Sequence, residues 1–197
     1  MPILLKAGDD ISTDDIIPGG ARVLPISSNI PRLSDFAFEP VDPTYAERAR
    51  AVRDTTGHAI VAANNYGQGS SRETAALAPR HLGLQVVLAR SFARLHWQNL
   101  VNFGVVPLAF ADPADHDALA AGEVLEFSGL HAALRAGDGI VARVAGSDRA
   151  VALTCALSAR QLDVLLAGGM IPWLRGRLRE VPEGTGEGGP EERRRLA

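Results

Sequence analysis

Between residues 59 and 110 the chain alternates three short apolar runs with two longer segments of helical character. The runs are Ala59–Ala63, Gln85–Ala89 and Val105–Phe110. None shows the every-second-residue polarity of a strand with one wet face, so both faces must be covered. Strands buried on both faces and joined by helices predict a parallel α/β layer. The intervening helices are expected over Ser71–Leu82 and Ser91–Phe103, stopped by Gly83 and Gly104, with Ser91 placed to cap the second. Phe92, Leu95, Leu100 and Phe103 supply its apolar stripe, and His96 near the edge reads as a packing or hydrogen-bonding residue.

The flanks fit the same scheme. Ile3-Leu4-Leu5 reads as a first strand, and Asp42-Pro43 as an N-cap with proline at the first helical position, ahead of a helix through Val52. The stretches Pro18-Gly19-Gly20 and Pro25 to Pro31 exclude a long regular element and read as a loop beside a site. Val124–Phe127, Ile140–Val144 and Ala150–Leu157 predict three further strands in a second, mostly antiparallel β layer. Ser158-Ala159-Arg160-Gln161 is a capping-box pattern opening a helix towards Gly168. One domain over residues 1–178 is expected, and the Glu-, Arg-, Gly- and Pro-rich tail, 179–197, is expected to be disordered.

A chain of 197 residues, 46% hydrophobic, supports one sizeable core, and its net charge of −3 offers no basic footprint for nucleic acid or a membrane surface. No apolar run reaches the roughly 18 residues of a membrane span, and Met1–Lys6 lacks the charged region of a signal peptide, so a cytoplasmic location is expected. The single cysteine, Cys155, rules out an internal disulfide or a thiolate cluster built from this chain alone, and its apolar neighbours make it a small hydrophobe. His58, His81, His116 and His131 show no metal-ligand spacing.

Polar chemistry gathers in Asn64-Asn65-Tyr66-Gly67-Gln68-Gly69-Ser70-Ser71-Arg72-Glu73. Gly67 and Gly69 let a ligand approach the backbone, the next helix start offers unpaired N–H groups, and Arg72 adds a full positive charge. That combination suits an anion. Ser70 and Glu73 also stand three apart as in a capping box, which would give both a structural role. A P-loop is excluded by the lack of lysine after the glycines, and a nucleophile elbow by the lack of glycine two residues beyond a serine. Asp9, Asp10, Asp14 and Asp15 allow either a paired-carboxylate site or turns and a helix cap made with Ser12 and Thr13.

The stretch Asn65–Gly83 resembles the active-site segment of the swivelling domain of aconitase, shared with the small subunits of isopropylmalate dehydratase and homoaconitase. Gly8–Ile16 resembles the family's first motif, Arg90–His96 with Asn99-Leu100 its next helix, and Gly104–Leu108 the strand after it. The resemblance covers about residues 3–175 in family order. It implies a β/β/α swivel domain of a hydro-lyase acting on a di- or tricarboxylic hydroxy acid. It also implies a cysteine-bearing large subunit that carries a 4Fe-4S cluster. By the same resemblance Ser70 is the catalytic base, while Ser71, Arg72, Asp14 and Gly69 bind substrate. Three positions depart from the pattern: Asn64 replaces a glutamate, Thr74 a histidine, and Ser27 in Leu24-Pro25-Ile26-Ser27-Ser28-Asn29 a substrate-binding arginine. Those losses leave open an alternative, a catalytically impaired carboxylate-binding module of the same fold. A weaker alternative, RNA binding by a cluster-free relative, is opposed by the acidic balance.

Overall fold

The structure, a computed structural model, describes residues 1–180. The expected tail lies outside the described residues except for its first two, which belong to the last helix. Nine helices and seven strands follow in chain order among the described residues. They are β1 (Ile3–Lys6), α1 (Thr13–Ile16), α2 (Ile30–Leu33), α3 (Tyr45–Arg53), β2 (His58–Ala62), α4 (Thr74–His81), β3 (Leu84–Ala89) and α5 (Arg94–Asn102). The second half adds β4 (Val106–Phe110), α6 (Asp115–Ala118), β5 (Leu125–Phe127), α7 (Leu130–Ala136), β6 (Ile140–Val144), β7 (Ala150–Thr154), α8 (Ala159–Leu166) and α9 (Met170–Glu180).

All strands join one mixed sheet in the order β1-β2-β3-β4-β7-β6-β5, with β1 to β4 parallel as expected. β7 pairs antiparallel with β4, and β6 and β5 continue antiparallel from it. The far edge then returns to the near one: Leu125 N–H donates to Met1 C=O at 2.8 Å and Ile3 N–H to Glu123 C=O at 2.8 Å. Closure leaves little open edge. It also explains two strand patterns. All five residues of β2 are buried because helices cover one face and the antiparallel strands the other, whereas β6 and β7 bury only alternate residues.

The apolar core is split accordingly. Ile60, Ala62, Val87 and Ala89 face the helices, packing with Ile16, Leu33, Phe38, Tyr45, Ala76 and Leu100. Val61, Val86, Leu88 and Leu108 face the antiparallel strands and pack on Leu125, Ile140, Ala142, Val144, Val151 and Leu153. The expected arrangement, a parallel α/β layer with an additional antiparallel β layer, is the one found.

Three helix starts differ from the sequence expectation. α4 begins at Thr74 and α5 at Arg94, each three residues late. Ser91 does not cap α5: its hydroxyl accepts from Asn65 N–H at 2.8 Å, and Ala93 stays extended to donate to Tyr66 C=O at 2.9 Å. Before α3, Asp42 accepts from Thr44 N–H at 2.9 Å in a turn, so Thr44 and not Asp42 is the N-cap residue. Leu95 is 51% exposed and leaves the α5 stripe, its place among the buried residues taken by His96, Asn99, Leu100 and Val101. Two capping boxes do form, Ser12 with Asp15 at α1 and Ser158 with Gln161 at α8. No helix among the described residues is long and apolar enough to cross a membrane.

Candidate active site

The loops after β1 and β2 leave the carboxyl ends of neighbouring parallel strands, the usual position of a ligand crevice in α/β sheets. They are stitched together along their length. Gly67 N–H donates to Ile11 C=O at 2.7 Å, Thr13 N–H to Gln68 C=O at 2.8 Å and Asp10 N–H to Asn64 C=O at 2.8 Å. Two non-glycine residues in left-handed backbone, Asp10 and Asn65, both at φ 57°, face each other through an Asn65 Nδ2 to Asp10 Oδ1 bond of 2.9 Å. Asn and Asp adopt that backbone more readily than other non-glycine residues, and the bond between them holds one loop against the other.

Gly67 at φ 82° and Gly69 at φ 97° then turn the chain so that Ser70 and Ser71 are exposed at its crest. Thr13, buried beneath, donates its hydroxyl to Ser70 C=O at 3.1 Å and fixes the height of that residue. The capping box expected between Ser70 and Glu73 is absent. Glu73 is itself the N-cap of α4 in helical conformation, without a side-chain cap bond, so Ser70 has no helix-capping role. Among the described residues neither serine hydroxyl has a protein partner, and the amides of Gly69 to Thr74 find no acceptor. Two hydroxyls and a run of N–H groups are therefore left without protein partners beside a helix start, where negative charge is stabilised.

Arg72 is held across the same face. Its Nη1 lies 2.6 Å from Asp14 Oδ1 and 3.3 Å from Ile17 C=O. Gly19 lies close against the pair: a Cβ there would stand 3.0 Å from Asp14 Oδ1 and 3.3 Å from Arg72 Nη2, so one of them would have to give way. Gly19→Ala is accordingly expected to displace the guanidinium and weaken substrate binding several-fold while kcat changes less, checked by steady-state kinetics. The four aspartates of the first loop thus divide their work. Asp15 caps α1, Asp9 and Asp10 clasp Asn64 and Asn65, and Asp14 alone faces the site.

All of the sequence-derived residues, Asp14, Gly69, Ser70, Ser71 and Arg72, come together here. The departures also acquire places. Asn64 donates from both its backbone N–H and its Nδ2 to Asp9 Oδ1 at 2.8 Å, bonds that hold the Asp9 carboxyl below its usual range; a glutamate would keep the first and replace the second with like-charge repulsion. Ser27 and Thr74 line one cleft of about 240 Å³ with Arg72, walled by Ile17, Pro18, Val23 and Leu33. Neither Arg22 nor Arg32 lines it. Arg22 pairs with Glu39 at 3.0 Å and lies over the Phe36 ring, turned to another partner. The partners of Thr13, Gly19 and Asn64 could not be read from the sequence, since their roles depend on loop-to-loop packing.

A model of the aconitase C-terminal domain family matches residues 39–113. The homoaconitase small subunit of Thermus thermophilus is 39% identical over 126 residues, which are 64% of this chain and 72% of that one. The chain belongs to this family. Membership extends to the 3-isopropylmalate dehydratase small subunit 2 of Archaeoglobus fulgidus, 42% identical over 61% of this chain and 67% of that one. A putative mitochondrial aconitate hydratase of Emericella nidulans is 44% identical over 60% of this chain, which spans only 16% of that much longer protein. A solved 3-isopropylmalate dehydratase structure from Methanocaldococcus jannaschii superposes with a TM-score of 0.72 at 26% identity, covering 91% of this chain and 95% of that one. The aconitase-type swivel fold is therefore shared along almost the whole described chain.

The iron-sulfur cluster implied by the family does not fit this chain. Cys155, the one cysteine of the sequence, is half-buried with its thiol donating to Pro107 C=O at 3.1 Å, and one thiol cannot supply the several a cluster needs. No group of three or more His, Cys, Asp or Glu among the described residues could hold a metal ion.

Proposed function

We propose that this chain is the swivel-type small subunit or domain of an aconitase-superfamily hydro-lyase, working with a cysteine-bearing large subunit that carries the 4Fe-4S cluster. One observation carries the reading: Ser70 stands exposed on a glycine turn anchored by Thr13, on the same face as Arg72 held by Asp14. A hydro-lyase must remove a proton beside a carboxylate and hold that carboxylate still. In the proposed mechanism Ser70 Oγ takes the proton. Its anionic form would be stabilised by the surrounding N–H groups and the Arg72 charge, the arrangement that lowers the cost of a developing oxyanion. Arg72 receives a substrate carboxylate through its planar pair of donors, and Ser71 adds a hydroxyl donor. The cluster of the partner would supply Lewis acidity for the departing hydroxyl. The cytoplasmic setting expected from the sequence stays part of the proposal.

The cleft beside Arg72 favours one class of substrate. Ser27 brings no charge to it, and Ile17, Pro18, Val23 and Leu33 give it an apolar wall. A hydroxy diacid with an apolar third substituent, of the 3-isopropylmalate kind, fits that wall better than citrate, whose third carboxylate would enter without a second cation beside Arg72. Hydrogen bonds to a charged group are worth about 1.5–3 kcal/mol, so Ser27→Arg should raise kcat/KM for citrate or isocitrate by about one to two decades and lower it for the apolar acid. Kinetics of both substrates on both proteins make the test. If the wild type already prefers citrate, the apolar-substituent reading is wrong.

A further inference from the structure

The serine turn rests on a side chain that the proposed chemistry does not use. His96, on α5, is 1% exposed, and a Cβ added to Gly67 would meet its Cγ and Cδ2 at 2.2 Å. The ring also meets Tyr66 edge to face, with centroids 5.2 Å apart. Tyr66 and Gly67 open the turn that ends at Arg72, and backbone bonds fasten the same segment to the start of α5. Tyr66 N–H donates to Ser91 C=O at 3.0 Å and Ala93 N–H to Tyr66 C=O at 2.9 Å. The imidazole therefore fills the wedge between helix and turn, and Gly67 is without a side chain where the ring lies.

The choice of ring is informative. His96 Nδ1 and Nε2, Tyr66 Oη and Asn99 Nδ2 are all buried without a partner among the described residues. Burying such groups opposes stability, and a hydrocarbon side chain would pack there at lower cost. A flat, rigid plate under a glycine offers something a flexible aliphatic chain does not, a fixed distance between helix and turn. We propose that His96 is the positioning residue of the serine turn: its ring sets the height of Gly67 and, through the short segment to Ser70, the placement of the base. The proposal rests on Ser70 being that base.

A cycle between the two touching residues tests it. In the assembled enzyme His96→Ala should lower kcat by about 10²-fold with KM little changed, the scale expected when a reacting group is misplaced by about an ångström. His96→Phe, which restores the plate, should recover most of the loss. Gly67→Ala alone should be at least as damaging, because its methyl would meet the ring and a φ of 82° strains any side chain. Combined with His96→Ala, the loss should be smaller than the product of the two single losses, because only the clash with the ring is relieved. Backbone amide NMR of the isolated chain gives a second measure that needs no activity. The Gly69–Arg72 resonances should shift in His96→Ala and return in His96→Phe. Unmoved resonances in His96→Ala, or losses that simply multiply in the double variant, overturn the proposal. Absence of activity in the wild-type assembly would instead refute the hydro-lyase reading and leave the NMR cycle to decide this one.

Discussion

Ser70→Ala in the assembled enzyme should reduce kcat by about 10²–10⁴-fold, the usual contribution of a positioned general base, while the melting temperature stays close to wild type. The two halves of that expectation have separate causes. The kinetic loss follows from removing the oxygen proposed to take the proton. Unchanged stability follows from geometry, because Ser70 is exposed at the crest of the turn and caps no helix, its one observed anchor being a backbone oxygen that alanine keeps. Ser12 and Ser158 provide the contrast. Each accepts from the third helical amide, Asp15 at 3.1 Å and Gln161 at 3.3 Å, so alanine at either should cost about 0.5–2 kcal/mol of stability. A stable Ser70→Ala protein with wild-type kcat would remove the serine from the mechanism.

Acid should destabilise the fold steeply between pH about 6.5 and about 4. His58 is fully buried, with Nε2 2.7 Å from Tyr45 Oη, and His96 is almost fully buried. Burial is the main cause that lowers both pKa values to about 4, with the Arg48 charge a second cause at His58. Both are neutral in the folded protein, whereas in the unfolded chain they take up protons below about 6.5. Below that pH the unfolded state binds more protons, so stability is full above 6.5 and falls as pH drops towards the folded-state values. A shift from 6.5 to about 4 corresponds to roughly 3 kcal/mol for each histidine, a large share of the 5–15 kcal/mol typical of a whole domain. Asp42 and Glu123, whose pKa values are lowered, extend the loss to still lower pH. Denaturant titrations across this range should show the slope, and His96→Phe should remove about half of it. A stability that stays flat from pH 6.5 to 4 would mean that neither ring is held neutral.

The parallel strands were legible because burial on both faces leaves no polarity alternation, and the glycine-serine turn of the candidate site because its residues are consecutive in sequence. Asp14 needed the family resemblance, since four aspartates within seven residues are chemically alike until their partners are known. The start of α4 was misjudged because Ser70 and Glu73 satisfy a local capping rule that the left-handed Gly69 and the long-range bond from Thr13 override. Ser91 looked like a cap for the same local reason and is used 26 residues away, at Asn65. Closure of the sheet, β5 onto the start of β1, joins segments more than a hundred residues apart and leaves no local trace. His96 reads in the sequence as a packing or hydrogen-bonding residue; it packs, and among the described residues its ring nitrogens have no partner. That Gly67 is its counterpart emerges only when helix and turn are seen together.

Reconstitution tests the central claim most directly. The isolated chain, then the chain mixed with a cluster-loaded large subunit from the same source, would be assayed for the ultraviolet absorbance of the unsaturated acid formed from 3-isopropylmalate or citrate. The isolated chain should be colourless and inactive, because one cysteine cannot supply the ligands of a cluster, and the mixture should turn over substrate with saturable dependence on this chain. Stoichiometric iron-sulfur absorbance in the isolated chain, or a large subunit whose activity is the same with and without it, would contradict the account.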